Sequence, residues 1–573
     1  MTDAHDWPVI DLRTVIDLGL ERGGHLLTAG ELQVARTILA LDGAPARLYA
    51  RLLERKPDTF HLPSLTVPGV DDVRNAVAFL HRSGLTDGLV PWPVRAERVT
   101  RDTLVDACRR LGLRRSGRRA ELAARVAEHR GWLTGRWVRL RHTGLVQRLQ
   151  TWAFLRRNAD RRTFVVERLG RARWPEYAKT PGPGLWRQRA AHRAWARLAA
   201  GGGTPDQAVE GMISGECWGP GHLDLSRRLV TGVCEVARDL ERSGHTAEAR
   251  RLYRRLTDEA GVPRSRLAFR IARTLEGEGR GVDALSVLQE GRRHATPEQR
   301  VGLARSGRRL ARSVGGAWPP GRPLRAARVR SLTLAPGPAT HRPTWLVGER
   351  TLQVEAAVAA TVERSGRVAI RAEGPLWATL TGLLLADTWF APVPGALPMD
   401  RLTAPLDLGS AAFCAARAPL LDSVARDIRD GGAVARLAEV WKRRRGERLR
   451  GVRWTRWSLL TLTAIVDGLS PPALNAILRA FAENGPRGAR GLPDLVVLPG
   501  PATALPVAWP SRLPPKLLLV EVKGPGDSLR DAQIAWIDIL LRAGGPVEVW
   551  EIRPGQRSAD HAQRGVVSRT TRR

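Results

Sequence analysis

Two short stretches near the C-terminal end of the chain hold acidic and basic side chains at a spacing suited to hydrolytic chemistry. Asp494 follows a proline and precedes an apolar run at 495–497, and Glu521 and Lys523 lie in a second run that begins at Leu517. Both runs are bounded by Pro and Gly, so the pattern predicts neighbouring β-strands. Alternate side chains on a strand share a face, so Glu521 and Lys523 point the same way. Because unpaired charge inside a sheet is costly, these groups predict a divalent-metal site with a lysine beside it. A surface hairpin with an ion pair is the alternative.

The helix predicted after the second strand adds a polar side chain. Asp527 or Ser528 is placed to cap this helix after a Gly-Pro-Gly turn. Gln533 then interrupts an otherwise apolar helical face. Its amide is either a satisfied hydrogen-bonding group of the core or a group that reaches the metal site, and the sequence leaves both interpretations open.

Lysine is rare in this chain, which makes Lys523 informative. Only five of the 92 basic residues are lysines, so arginine is used almost wherever positive charge is enough. A guanidinium cannot copy the compact charge of an ammonium. The spacing Pro-Asp…Glu-x-Lys also resembles the pattern of the restriction-endonuclease-like nucleases.

The composition favours a nucleic-acid partner. The chain has 573 residues and a formal net charge of +35, which predicts several domains and a polyanionic partner, with a membrane surface as the alternative to nucleic acid. The most apolar segment, residues 375–399, carries Asp387 and several prolines, so it is a poor transmembrane helix. The chain has no phosphate-binding fingerprint, so we expect no nucleotide cofactor.

The positions of histidine and cysteine limit which metals the site can bind and which cellular compartment suits the protein. No histidine lies between His341 and His561, so a metal in that span is held by oxygen ligands, which favours Mg²⁺ or Mn²⁺ over zinc. The four cysteines are isolated, and the N-terminus lacks the features of a signal peptide. We therefore expect a cytoplasmic, nucleoid-associated protein without a membrane partner.

The chain as a whole is predicted to be an α+β multidomain protein. Its parts are an all-helical N-terminal domain (1–92), a SAP-like DNA-binding unit (93–132), a helical region with tetratricopeptide-like repeats (133–320), a restriction-endonuclease-like α/β nuclease domain (345–555) and a disordered tail (556–573). The repeats are inferred from Gly244 and Gly279, which begin similar motifs 35 residues apart. Whether these helices bind DNA or protein stays open.

Two clusters of basic residues are candidates for DNA contacts. One lies in the turn of the SAP-like unit, for which a plain helical hairpin is the alternative; it comprises Arg114, Arg115, Arg118 and Arg119. The other is the densest basic run of the chain and comprises Lys442, Arg443, Arg444, Arg445 and Arg448. Such side chains bind phosphates without reading sequence, although a solvated surface carries the same residues.

Glu373 stands at the start of a predicted helix. Pro375 suits the first turn of that helix, so Glu373 is either a carboxylate favoured by the helix dipole or a residue that faces the metal site. The residue types alone do not decide between these interpretations.

Taken together, these motifs resemble the VRR-NUC domain of the Fanconi-associated nuclease family. The resemblance is carried by residues 373–384, 491–497 and 520–536, with weaker similarity at 24–28 and 48–52 and in the SAP-like and repeat regions. Ala386 departs from the family, which often has a bulky aromatic residue there. The Cys and His residues of a ubiquitin-binding zinc finger, found in vertebrate members, have no counterpart.

The resemblance implies a structure-specific DNA nuclease. It implies 5′-flap endonuclease and 5′-to-3′ exonuclease activities in interstrand cross-link repair, with branched DNA as the partner. It further implies one or two Mg²⁺ or Mn²⁺ ions held by Glu373, Asp494, Glu521 and the main-chain carbonyl of Val522. The alternatives are a junction resolvase or restriction-type enzyme of the same superfamily, and a DNA-binding scaffold without catalysis.

Overall fold

The computed structural model divides the chain into two compact units. It describes residues 5–55, 58–87, 96, 99–129, 137–154, 173–180, 204, 206–207, 209–210, 223–259, 262–293, 295–338, 343–372, 374–398, 400–500 and 517–555. The first unit holds the described residues up to 154, and the second holds residues 173–180 and the described residues from 204 onward. None of the described helices is long and apolar enough to cross a membrane. The predicted tail at 556–573 lies outside the described residues.

The first unit combines helices with a small sheet. Its described helices are Trp7–Gly23, Ala29–Leu39, Gly43–Leu52, Val73–Arg82, Arg101–Arg110, Arg119–Ala127 and Thr143–Phe154. Strands β1 (Thr59–His61), β2 (Thr86–Asp87) and β3 (Trp137–Leu140) form an antiparallel sheet in the order β1-β3-β2. The prediction of an all-helical N-terminal region was therefore wrong. These strands are two to four residues long, too short to show an alternating pattern, and their central strand follows the SAP-like unit in sequence.

The predicted SAP-like unit is built from two capped helices around a core of its own. Thr100 caps the first helix, since its Oγ1 accepts from the backbone N–H of Thr103 at 3.3 Å. In the second helix, Glu121 Oε2 accepts from the backbone N–H of Arg118 at 3.1 Å. Leu104 and Leu122 are both fully buried in the core between these helices. This apolar packing between the two helices stabilises the helical hairpin.

Five consecutive helices pack in sequence order in the second unit. They are Leu223–Arg242, Thr246–Asp258, Arg264–Gly277, Gly281–Arg292 and Pro297–Ser313. Gly244 and Gly279 occupy equivalent turns at φ +85° and +74°, a conformation that glycine adopts without steric cost. The predicted 35-residue spacing therefore corresponds to a repeated turn between helices.

A seven-stranded mixed sheet, counted over the described residues, organises the rest of the second unit. Its order is β6-β5-β4-β10-β9-β8-β7, in which β10 runs parallel to β4 and β9 and the other pairs are antiparallel. The strands are β4 (Arg328–Pro336), β5 (Trp345–Val347), β6 (Arg350–Leu352), β7 (Val368–Arg371), β8 (Leu495–Leu498), β9 (Leu518–Lys523) and β10 (Val547–Pro554). The helices around the sheet are Val354–Arg364, Pro375–Leu384, Ala386–Trp389, Ala411–Ala416, Ala418–Arg429, Ala433–Arg444, Leu459–Gly468, Pro471–Asn484 and Asp531–Arg542. This α+β arrangement places the ends of β8 and β9 beside each other.

Candidate functional site

Strands β8 and β9 pair as the sequence predicts and bring the two carboxylates together. Leu495 lies opposite Val520 in the antiparallel ladder. Asp494, one residue before β8, therefore lies next to β9 just past this pair. The backbone N–H of Val522 donates to Asp494 Oδ2 at 2.9 Å. Because the N–H and C=O of one strand residue point toward the same edge, the Val522 carbonyl is directed toward the Asp494 side as well.

Alternation along β9 separates the polar site from the apolar core. Val520 and Val522 belong to the core that packs against helix Val354–Arg364. Glu521 and Lys523 therefore lie on the other face, as the period of two predicts. They are among the most buried charged residues of the described chain, at 1 % and 9 % exposure.

Gln533 connects the helix to both charged residues. Lys523 Nζ lies 3.1 Å from Glu521 Oε1 and donates to Gln533 Oε1 at 3.0 Å. Gln533 Nε2 in turn donates to Glu521 Oε1. The backbone N–H of Arg530 also donates to Gln533 Oε1, at 2.9 Å. Gln533 thus caps its own helix and also contacts both Glu521 and Lys523.

The predicted cap of this helix was wrong. The helix is Asp531–Arg542, with Arg530 at the N-cap position, three residues beyond Asp527. The Asp527 carboxylate instead accepts from the backbone N–H of Gly524 at 3.2 Å and so closes the preceding turn. A side chain used in the turn cannot also cap the helix.

The approach of the helix to β8 requires glycine at one position. Gly491 has φ +84°, and a Cβ built on it would lie 2.5 Å from the backbone carbon of Ala532. Any other side chain would force apart the loop that carries Asp494 and the helix that carries Gln533. The glycine of the Gly-Leu-Pro-Asp stretch therefore contributes directly to the geometry of the site.

The two carboxyl groups are strongly coupled. Burial and the neighbouring Asp494 carboxylate raise the pKa of Glu521 to about 8, while Lys523 opposes the shift. Burial also raises the pKa of Asp494, against the hydrogen bond from the Val522 N–H. Glu521 Oε2 is buried and accepts no hydrogen bond from the described residues. The pair is consequently stabilised by a proton or by a further cation bound to these carboxylates.

Comparison with known proteins finds the same motifs in nucleases. Residues 428–554 match the VRR-NUC domain. The Fanconi-associated nuclease 1 homolog of Oryza sativa is 35% identical over 195 residues, which are 34% of this chain and 19% of the relative. The chain spans about a fifth of the length of the first plant and animal relatives that it matches. The similarity to these longer proteins is therefore confined to one part of each.

A bacterial relative and a solved structure extend the likeness to almost the whole chain. The Fanconi-associated nuclease 1 homolog of Pseudomonas aeruginosa is 27% identical over 554 residues, covering 93% of both chains. The crystal structure of paFAN1 bound to 5′-flap DNA with a 2-nucleotide flap and a gap has a TM-score of 0.77 and 25% identity. It covers 97% of this chain and 100% of that chain. The chain is thus similar to Fanconi-associated nucleases over nearly its whole length, and residues 428–554 match the VRR-NUC domain.

The similarity to this nuclease family implies dependence on a divalent metal, and the donor set is compatible with one. Asp494, Glu521 and the Val522 carbonyl are oxygen donors of the kind that hard divalent cations prefer, and Glu521 Oε2 accepts no hydrogen bond from the described residues. Among the described residues no three acidic, His or Cys side chains converge. Glu373, the further predicted ligand, lies outside the described residues; its neighbour Ala372 donates its backbone N–H to the Asp494 carbonyl at 2.8 Å.

The basic run predicted to contact DNA contains two kinds of arginine. Arg443 and Arg444 both form ion pairs with Asp387, at 2.6 and 3.2 Å. Arg444 is half-buried and also pairs with the buried Glu447 at 3.0 Å. By contrast, Lys442, Arg445 and Arg448 are exposed. Arg443 and Arg444 are thus paired with carboxylates of the protein itself, which the density of basic residues in the sequence does not reveal.

The arginines of the SAP-like turn are all exposed. The turn is held by Arg125, whose Nη1 donates to the carbonyls of Arg114 and Ser116 at 2.9 Å each. Arg125 thus supports the turn from inside, and Arg115 and Arg118 extend from it. This unit and the nuclease sheet belong to different compact units.

Two features of the site region have no distinct signal in the sequence. The Glu355 carboxylate on helix Val354–Arg364 lies close enough to contribute to the raised pKa of Asp494. Residues 173–180, in the middle of a predicted helical region, form no helix and belong to the second compact unit. The run of arginines and aromatics around this segment in sequence is equally compatible with a helix.

Proposed function

We propose that this protein is a metal-dependent, structure-specific DNA nuclease that cuts 5′ flaps and acts as a 5′-to-3′ exonuclease. The observation that carries the proposal is the buried cluster of Asp494, Glu521, Lys523 and Gln533 with its unpartnered carboxylate oxygen. The relatives are named Fanconi-associated nucleases, and the solved relative is bound to 5′-flap DNA. These facts support branched DNA as the substrate. Interstrand cross-link repair, the process that the family resemblance implies, is part of the proposal.

The chain's own residues provide the surroundings of the reaction. Bound Mg²⁺ or Mn²⁺ would supply water activation and stabilisation of the leaving oxygen, held by Asp494, Glu521, the Val522 carbonyl and Glu373. The Lys523 ammonium, fixed between Glu521 and Gln533, orients the attacking water and offsets negative charge that develops on the phosphate. Gln533 holds the lysine in place through its carbonyl oxygen and the glutamate through its amide.

The helical parts would hold the arms of the substrate. The SAP-like turn and the tetratricopeptide-like helices carry exposed arginines. These arginines would contact the phosphates of the duplex without sequence preference. The net charge of +35 supports association with the nucleoid. Two buried carboxylates repel each other and destabilise the fold unless a cation binds between them. A DNA-binding scaffold without catalysis does not require such a pair.

A panel of end-labelled DNAs tests the function. We expect Mg²⁺- or Mn²⁺-dependent cleavage of a 5′ flap near the junction, slower digestion of a duplex from its 5′ end, and little cutting of a four-way junction. Preferred cleavage of the four-way junction would favour the resolvase alternative. Binding without cleavage by any divalent metal would favour the scaffold.

Glu373→Gln tests the fourth metal ligand. If Glu373 only favours a helix dipole, the loss should be at most about 1 kcal/mol of stability with cleavage retained. We expect instead that single-turnover cleavage falls by more than about a hundredfold, because a neutral amide replaces an anionic ligand, and that raised Mn²⁺ restores part of it. An unchanged melting temperature with near wild-type flap cutting would remove Glu373 from the site.

Substituting the SAP-like turn tests the electrostatic basis of binding. The triple change Arg114→Ala/Arg115→Ala/Arg118→Ala should weaken binding to all branched DNAs alike. Each lost phosphate contact should reduce the log–log salt slope by about 0.9. Point changes are preferable to deleting 95–130, since Trp137 of β3 packs in the core of this unit. An unchanged affinity and slope would make the turn a packing element only.

A further inference from the structure

Residues 173–180, here called the strap, bind across the nuclease part of the second unit. Thr180 exchanges two hydrogen bonds with Leu397, each of 2.9 Å: its N–H donates to the Leu397 carbonyl, and its Oγ1 accepts from the Leu397 N–H. Tyr177 Oη accepts from the Leu402 N–H at 2.7 Å, and the Tyr177 ring stacks on Phe390 with 5.2 Å between centroids. Thr180 is buried. This half of the strap is an anchor.

The other half of the strap organises the basic run. The Arg448 N–H donates to the Arg173 carbonyl at 2.7 Å. Arg173 Nη2 donates to Glu447 Oε1 at 3.1 Å and to the Arg443 carbonyl at 3.0 Å. The Arg448 guanidinium lies over the Trp174 ring, 5.3 Å from its centroid. The strap thus fixes both the backbone and one side chain of this run.

Two exposed arginines of the run are held by aromatic rings and not by carboxylates. Arg445 lies 5.5 Å from the centroid of Trp441 and Arg448 lies over Trp174. Neither has a carboxylate partner among the described residues, in contrast to Arg443 and Arg444. A ring orients a guanidinium without cancelling its charge. Arg445 and Arg448 therefore keep a full positive charge in a defined place.

The chain just after the basic run contacts the helix that begins near the candidate site. The N–H of Arg453, shortly after the run, donates to Thr379 Oγ1 at 3.1 Å, and Thr379 Oγ1 donates to the Pro375 carbonyl at 2.8 Å. Pro375 begins the helix that follows Ala372, whose N–H bonds the Asp494 carbonyl. The Thr379 hydroxyl thus links the chain just after the run to the start of this helix, and Ala372, shortly before the helix, contacts the Asp494 carbonyl.

We propose that the strap is a positioning element for DNA: through Trp174 and Arg173 it presents Arg448, together with Arg445, to consecutive phosphates of the duplex next to the scissile bond. The proposal rests on the nuclease function proposed above. Arg443 and Arg444 are structural, and Trp174 acts through Arg448 and not by stacking on bases. The strap supplies no reacting group.

A double-mutant cycle in the full-length protein tests this. Binding of a labelled 5′-flap duplex is measured in EDTA over a salt series for Arg448→Ala, Trp174→Leu and the double variant. We expect each single change to weaken binding about three- to tenfold at 0.1 M salt, and Arg448→Ala to lower the log–log slope by about 0.9. The double variant should bind no more weakly than Arg448→Ala alone, because the tryptophan has then lost the group it positions.

The controls separate this proposal from folding and from the nuclease function itself. Trp174→Phe keeps a ring under the guanidinium and should restore most of the affinity. Lys179→Ala changes an exposed strap residue whose ion pair with the exposed Asp400 is 3.3 Å long, and should leave binding unchanged. Multiplicative effects in the double variant, or wild-type binding by Trp174→Leu, would overturn the proposal. Wild-type protein that fails to bind the flap duplex would instead count against the nuclease function.

Discussion

Glu521→Gln is expected to abolish cleavage while making the metal-free protein more stable. Glutamine keeps the shape of the side chain, so its Oε1 still accepts from Gln533 Nε2, and its new N–H group faces the Asp494 carboxylate. The loss of an anionic ligand should lower single-turnover cleavage by at least about a thousandfold. The gain in stability arises because the buried carboxylate pair of the wild type no longer repels itself.

The pKa of Glu521 determines at which pH the variant should be more stable than the wild type. The folded-state pKa of Glu521 is raised to about 8, above the value of about 4.3 in an unfolded chain, so the wild type loses stability as pH rises through this interval. In EDTA the two proteins should melt alike near pH 4.5. Above pH 8 the variant should be more stable by about 1–3 kcal/mol, a fraction of the full shift because buried charges relax. Equal melting temperatures at pH 9, measured by calorimetry, would show that the two carboxylates are not close together.

Lys523→Arg is expected to lower the cleavage rate about a hundredfold or more although the charge is kept. The ammonium is almost buried and contacts Glu521 Oε1 at 3.1 Å and Gln533 Oε1 at 3.0 Å. A guanidinium is larger and planar, so it cannot occupy this position without displacing Gln533 or the water that the lysine orients. Flap binding should change little, because the positive charge remains.

A matched control is available within the same protein. Lys179→Arg makes the same change at a site where both partners of the ion pair, Lys179 and Asp400, are more than half exposed. This variant should cleave at the wild-type rate. Rapid turnover by Lys523→Arg under single-turnover conditions would remove the specific role assigned to the ammonium.

Local patterns in the sequence determine the central part of the site. Apolar runs bounded by Pro and Gly fix the two strands, and the period of two places Glu521 and Lys523 on one face. The rarity of lysine marks position 523, and the motifs together indicate the similarity to Fanconi-associated nucleases. These properties depend on neighbours within a few residues, so they can be inferred from the chain alone.

Only the tertiary structure decides how the charges are used. Gln533 joins the site because its helix packs at Gly491 against the loop that carries Asp494. Burial raises the pKa of Glu521, and that burial depends on elements distant in the chain. Arg444 is neutralised by Asp387, and Arg448 is positioned by Trp174, 274 residues earlier in the chain. Contacts between residues so far apart leave no periodic signal, since the intervening chain can take many courses at similar local energy. The sequence therefore shows that the run carries five basic residues. Which of its arginines remain available to bind DNA depends on contacts that exist only in the folded protein.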